Sequence, residues 1–493
     1  MADETTSIET ERTSEEPKVV PDELSVTQHT LETVDGAIEY TAKAGLVTLY
    51  EDKVEDGVFR GRTATARVGV TAYTLDGADP LTRPVTFAFN GGPGSASVWL
   101  HMGIFGPRRV VMGDAGDLHA PPYTIADNAE SLLAVSDLVF IDPVSTGHSR
   151  VVDGGKPKDF HDFKADIESV GEIIRQWVTV EGRWLSPKFL AGESYGTLRS
   201  AALAQHLQGS GMYLNGLMLI STVLNYGLHD FSHGNDNAYP RYLSFYAATA
   251  HFHGKHPGRS LEEVIAEADE YAARDYPYVL ARGSRLAHAE RASAVTKLAG
   301  IMGLSEDYVD RADLRVEHWR FFGELLRDQG LTVGRLDSRF TGPAASGIAE
   351  HMDADPSMDA FLGPYAAAYQ HYLRTELSVE NPSPFHVFGP GVIQEWSYEE
   401  FKDKYATVTD RLARSMRQNQ HLLVHVAFGY YDGATPPARA EDDLAHLPIP
   451  AHLHDNIERR YYEAGHMMYV HEASRLQQAA DLKAFVLRAT GRS

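Results

Sequence analysis

Apolar and polar positions change their spacing several times along this chain, and each change predicts an element. Residues 37–50, 58–67 and 68–75 alternate and are rich in β-branched side chains, which predicts three strands. A turn at Asp76 and Gly77 and the proline-bounded stretch 80–84 end that pattern. Residues 85–89 form a short buried-strand pattern and 138–141 a compact apolar run, the mark of strands buried on both faces. Phe163, Ile167, Val170, Ile174 and Trp177 then recur at helical spacing, and 188–191, 198–207 and 217–220 continue as strand, helix and strand. This alternation predicts an α/β fold, a mostly parallel sheet flanked by helices. From about 230 to 380 the pattern is helical and aromatic-rich, with Gly and Pro interrupting it over 330–343. A segment of that length is too long for a loop and reads as a largely helical cap. Its aromatic residues, such as Trp319, Phe321, Tyr365 and Tyr369, read first as core and second as a pocket lining. Strand, strand and helix return at 422–428, 457–462 and 472–487. The expected organisation is a disordered acidic tail over 1–25, a core in two parts over 26–229 and 381–493, and an insertion over 230–380.

Charge narrows the partners. The formal charge of −23 repels phosphate backbones and anionic lipid surfaces, so neither nucleic acid nor membrane is an expected partner. The absence of cysteine excludes disulfides, thiolate catalysis and Cys-ligated zinc, and fits a reducing compartment. The first 25 residues are acidic and lack the basic start and apolar run of an export signal. The expectation is a cytoplasmic protein, with secretion left open and oligomeric state not legible.

Chemistry enters at Gly192-Glu193-Ser194-Tyr195-Gly196, between a strand and a helix. That is the context of a nucleophile elbow, in which the glycines permit a tight turn and the serine stands exposed above the sheet. Asn90-Gly91-Gly92-Pro93-Gly94 also follows a strand. With an elbow present, the amides of Gly92 and Tyr195 are the candidate oxyanion hole. A serine hydroxyl needs a base, and the base an orienting carboxylate, in the chain order serine, acid, histidine. Asp432, in Gly429-Tyr430-Tyr431-Asp432-Gly433, and His466, in Ala464-Gly465-His466-Met467, both follow late strands and fit. Their rivals are Asp442 and Asp443, which look like helix-surface residues, and His452, His454 and His471. His251, His253 and His256 cluster without the pattern of a zinc site, so no metal or other cofactor is expected.

Taken in order, five blocks resemble the serine carboxypeptidase family, the type that includes carboxypeptidase Y and cathepsin A, in a cysteine-free bacterial-like form. They are F-N-G-G-P-G-S-A-S at 89–97, D-L-V-F-I-D-P-V-S-T-G at 137–147, G-E-S-Y-G at 192–196, G-Y-Y-D at 429–432 and A-G-H-M at 464–467. Residues 330–342 resemble the cap region of bacterial members. The resemblance implies an α/β-hydrolase fold and release of C-terminal residues from peptides by Ser194, His466 and Asp432. It also implies that Asn90, Gly91 and Glu193 hold the substrate's terminal carboxylate. Glu193 can donate to that carboxylate only when protonated, so its pKa must be raised.

The chain departs from the family pattern at Ile104, where many members carry a glutamic acid paired with the one before the nucleophile. The hydrogen bond to Glu193 from that side is then lost or replaced, and the acidic pH optimum is in doubt. The segment 142–147 is one residue shorter than the eukaryotic form, and Ala88 stands where a tryptophan is common. The substrate is a peptide or a small acyl compound. An esterase, amidase or acyltransferase would use the same triad. An aminopeptidase of the proline-iminopeptidase kind would carry histidine where Asn90 stands. A silent binding protein would have lost a member of the triad.

Overall fold

The computed structural model describes residues 20–117 and 119–492. Its centre is a ten-stranded sheet. In chain order its main strands are β1 (Glu23–Thr33), β2 (Gly36–Glu55), β3 (Val58–Leu75), β4 (Val85–Phe89), β5 (Asp137–Asp142), β6 (Lys188–Glu193), β7 (Gly216–Ile220), β8 (Leu423–Gly429) and β9 (Ile457–Tyr462). In space they run β1-β2-β3-β5-β4-β6-β7-β8-β9, and the two-residue strand Arg150–Val151 pairs with β3. The β1–β2, β2–β3 and β3–β5 pairs are antiparallel, and every later pair is parallel. The α/β reading therefore holds, with an antiparallel edge on a parallel sheet.

The unbroken apolar runs fall where expected because these strands are covered twice. On one face Phe87, Phe89, Leu190, Leu217, Leu219, Val424 and Val426 pack against α1 (Phe163–Val180), α2 (Tyr195–Gly209) and a later helix, Thr409–Gln418. On the other, Ala88, Phe140, Phe189, Ala191, Met218 and Ile220 meet Phe485 and Val486 of the closing helix Glu472–Ala489. Period-two alternation thus sorts each strand between two cores.

The insertion divides. Residues between Tyr239 and Val333 form a third apolar core of their own, built on α3 (Ala238–Phe252), α4 (Leu261–Arg282), α5 (His288–Met302), α6 (Glu306–Arg311) and α7 (His318–Glu324). Helix α8 (Pro356–Thr375) instead sends Phe361, Tyr365, Tyr369 and Tyr372 into the second core beneath the sheet. Phe321 is core, as are Tyr365 and Tyr369, whereas Trp319 remains 39% exposed. Among the described residues no helix is long and apolar enough to cross a membrane.

Two early expectations change. Of the tail expected over 1–25, residues 1–19 lie outside the described residues, and Glu23 to Ser25 already pair with Leu46 to Ala44 in β1. That strand is solvated along much of its length, so its composition resembles a tail while the edge of β2 supplies its hydrogen bonds. The two strands expected over 58–67 and 68–75 are one long strand, bulged against β2 near Leu49.

Candidate active site

The candidate residues lie at the strand ends on one side of the parallel sheet, where such sheets place their sites. Between β6 and α2 the chain turns at Ser194, whose φ of 60° and ψ of −128° are strained for a non-glycine residue. The flanking glycines make the turn possible. A Cβ on Gly192 would lie 2.0 Å from the Gly196 carbonyl oxygen, and one on Gly196 would lie 2.9 Å from that of Phe89. The Ser194 amide donates to the Ile220 carbonyl at the end of β7, which fixes the elbow to the sheet. Its side chain is only partly buried, and among the described residues its hydroxyl has no hydrogen-bond partner. Catalytic hydrogen bonds of this kind often tighten only around substrate.

Asp432 and His466 meet. The His466 Nδ1–H donates to Asp432 Oδ2 at 2.8 Å. Asp432 is fully buried, and it also accepts from the amides of Ala434 and Thr435 and from the Thr435 hydroxyl, at 2.8, 2.9 and 2.6 Å. Burial pushes the Asp432 carboxyl up, but the His466 charge and these hydrogen bonds outweigh it and hold the pKa below the usual value. For His466 burial acts downward, and the Asp432 charge, its hydrogen bond and the Glu193 charge outweigh it, so its pKa is raised. The rival Asp443 is not a surface residue: it is buried, accepts from Asn225, and is pushed up to about 7 chiefly by burial. His253 and His256 bond the carbonyls of Ser338 and Gly300. Among the described residues no group of three or more such side chains could hold a metal ion.

The glycine loop after β4 is pressed against the elbow. A Cβ on Gly91 would fall 2.5 Å from the Tyr195 nitrogen, so only glycine lets the two backbones approach. Gly92 is exposed beside it. Asn90 is buried and donates through Nδ2 to Glu193 Oε1 at 2.8 Å, while its Oδ1 accepts the Leu100 amide. Glu193 is 3% exposed, and burial pushes its pKa up to about 7 against the lowering effects of the nearby His466 and of its hydrogen bonds.

Two features were not read from the sequence. Tyr469 donates its hydroxyl to Glu193 Oε2 at 2.7 Å, and its ring lies over Gly103, where a Cβ would be 2.3 Å from the ring. A phenol therefore supplies the contact to Glu193, while Ile104 is simply core. The second is a strap, residues 335–340, that joins the cap to the loops carrying Asp432 and His466. The amides of Gly433 and His466 donate to the carbonyls of Arg335 and Leu336, and the Ser338 amide donates to that of Tyr431. Asp337 accepts the Gly465 amide while paired with Arg339 at 2.6 Å. Proximity of Tyr469 to His466 in the chain was the available signal for the first; the strap's resemblance to bacterial caps was the signal for the second.

The sheet order, the strained serine turn and the acid–histidine pair past the later strands define an α/β-hydrolase. Within that class, the serine carboxypeptidase family model matches residues 73–240. No curated protein matches the sequence. Among solved structures, the chain is similar to a prohormone-processing carboxypeptidase from Saccharomyces cerevisiae, with a TM-score of 0.53 at 12% identity over 92% of this chain and 91% of that one. A proline iminopeptidase from Mycobacterium smegmatis superimposes with a TM-score of 0.37 at 16% identity, over 90% of this chain and 99% of that one.

Proposed function

We propose that this protein is a serine-type carboxypeptidase that releases C-terminal residues from peptides. In this reading Ser194 attacks the last peptide carbonyl, and His466 takes its proton and later passes it to the departing amine. Asp432 holds the imidazole tautomer and balances its charge. The amides of Gly92 and Tyr195 receive the oxyanion. Asn90, Gly91 and Glu193 receive the terminal carboxylate.

The observation that carries the reading is the buried Asn90–Glu193 pair directly before the elbow serine. A carboxyl group kept neutral can donate to a substrate carboxylate, whereas an ionised one repels it. With Glu193 pushed up to about 7, the protonated form dominates below that pH. Cleavage of free-acid peptides is therefore expected to fall as pH rises through about 7.

The test compares N-blocked dipeptides with a free and an amidated C-terminus, from acid to neutral pH, beside Ser194→Ala. Preferential release of the last residue from the free acid, abolished by Ser194→Ala, is the expected result. Hydrolysis of a simple ester through Ser194 with neither dipeptide cleaved would overturn the peptidase reading in favour of an esterase or acyltransferase.

A further inference from the structure

Arg335 opens the strap, and its backbone carbonyl accepts the amide of Gly433, the residue after Asp432. The next residue, Leu336, accepts the His466 amide at 2.6 Å. The arginine thus sits at the seam between the cap and both late catalytic loops. Its side chain is 29% exposed. The nearest carboxylate, Asp355, is 3.9 Å from its Nε, beyond hydrogen-bond range. Asp355 is already engaged: its Oδ1 accepts the amides of Arg335 and Ser357 at 3.0 and 3.1 Å, and its Oδ2 accepts that of Leu336 at 3.3 Å. The guanidinium lies 5.9 Å from the centre of the exposed Trp319 ring. Among the described residues it makes no hydrogen bond at all.

An arginine normally spends its planar fork on a carboxylate, phosphate or carbonyl. One held by its backbone against the loops of Asp432 and His466, with only a loose 3.9 Å ion pair to Asp355 and no hydrogen bond on its fork, is placed to receive a ligand. Its charge reaches His466, and also His229 just before the cap and His318 within it, each of which it helps to push down. Those two histidines are kept well below the usual value mainly by burial, so they add no positive charge at working pH. Two other cations there are spent: Arg439 is buried against the Ala434 carbonyl, and Arg339 is buried and paired with Asp337. Among the described residues, Arg335 is therefore the accessible cation at this seam. The whole protein carries −23 and repels anions at long range, so an anionic group must be recognised locally.

We infer that Arg335 is a specificity-determining residue that selects substrates carrying an acidic side chain next to the scissile bond. The inference rests on the hydrolase reading of Ser194 and names its substrate class. Glutamate and glutamine have the same shape and differ in charge, so their ratio isolates the contact.

The experiment measures kcat/KM on N-blocked dipeptides with Glu or Gln in the last position, on a second pair with Glu or Gln in the penultimate position, and on N-blocked Glu and Gln α-esters. The wild type is expected to favour Glu over Gln by about tenfold or more in at least one pair, as a charged hydrogen-bonded contact would give. Arg335→Gln is expected to erase that ratio, Arg335→Lys to retain part of it, and Arg335→Glu to invert it. A Glu to Gln ratio that Arg335→Gln leaves unaltered in every pair overturns the inference. If no dipeptide is cleaved while the ester pair shows the arginine-dependent ratio, the carboxypeptidase reading falls and the role of Arg335 stands.

Discussion

Glu193 shows how one buried side chain is tuned by opposing influences. Burial drives its pKa up, and the Tyr469 hydroxyl, the Asn90 amide and the His466 charge pull it back, leaving it at about 7. Tyr469 donates to the charged form, so removing its hydroxyl must raise the Glu193 pKa further. Tyr469→Phe is therefore expected to move the alkaline limb of the peptidase pH profile upward by about one unit, the worth of one hydrogen bond to a charged group. Ester hydrolysis through the same serine needs no protonated Glu193 and should lack that alkaline limb in both proteins. A limb that stays in place, or moves down, would show that the phenol does not tune this carboxyl. The pairing could not be read from the sequence because Tyr469 and Glu193 are 276 residues apart and only the folded chain brings them together. The motifs around Ser194 were legible for the opposite reason: the turn is local, and Gly192 and Gly196 are required within a few residues of it.

Among the elements, the strap is the one whose role no local pattern announces. Its residues look like an interruption between helices, and their importance comes from hydrogen bonds to loops about a hundred residues later. The elements that were most legible, β4, β5 and β7, are largely apolar segments whose burial on both faces leaves one reading. The β1 strand was missed because an edge strand with a solvated face carries little apolar signal. The strap can be tested through Gly465. A Cβ there would stand 2.4 Å from the Asp337 Cβ and 2.5 Å from the Leu336 carbonyl oxygen, so Gly465→Ala must displace the strap or the His466 loop. Misplacement of a catalytic group by about 1 Å costs on the order of a hundredfold in rate. Ester and peptide turnover should fall together by about that factor, with the circular dichroism spectrum unchanged. A variant with full activity would mean that the strap packs against the site without positioning it.

For the whole molecule, three apolar cores imply parts of unequal stability. Two of them share the sheet, and the third belongs to residues between Tyr239 and Val333. Phe321 is fully buried in that third core, its ring stacked on Tyr246 at 4.2 Å. Truncating such a residue costs about 3–5 kcal/mol. Phe321→Ala is expected to raise hydrogen exchange throughout 238–333 while β6, β7 and β8 keep their protection. Equal loss of protection in the sheet would show that cap and sheet unfold as one unit.

The strap also bears on how such a chain can change by descent. The helices from α3 to α7 answer chiefly to their own core and are free to drift in sequence. The strap is less free, because the carbonyls of Arg335 and Leu336 must stay in place for the amides of Gly433 and His466, and the Asp337 carboxylate accepts the Gly465 amide. Substitutions at Asp337 and Gly465 are therefore bound to travel together. A cap exchanged between relatives would keep the host's catalysis only if the boundary of the exchange fell before Arg335.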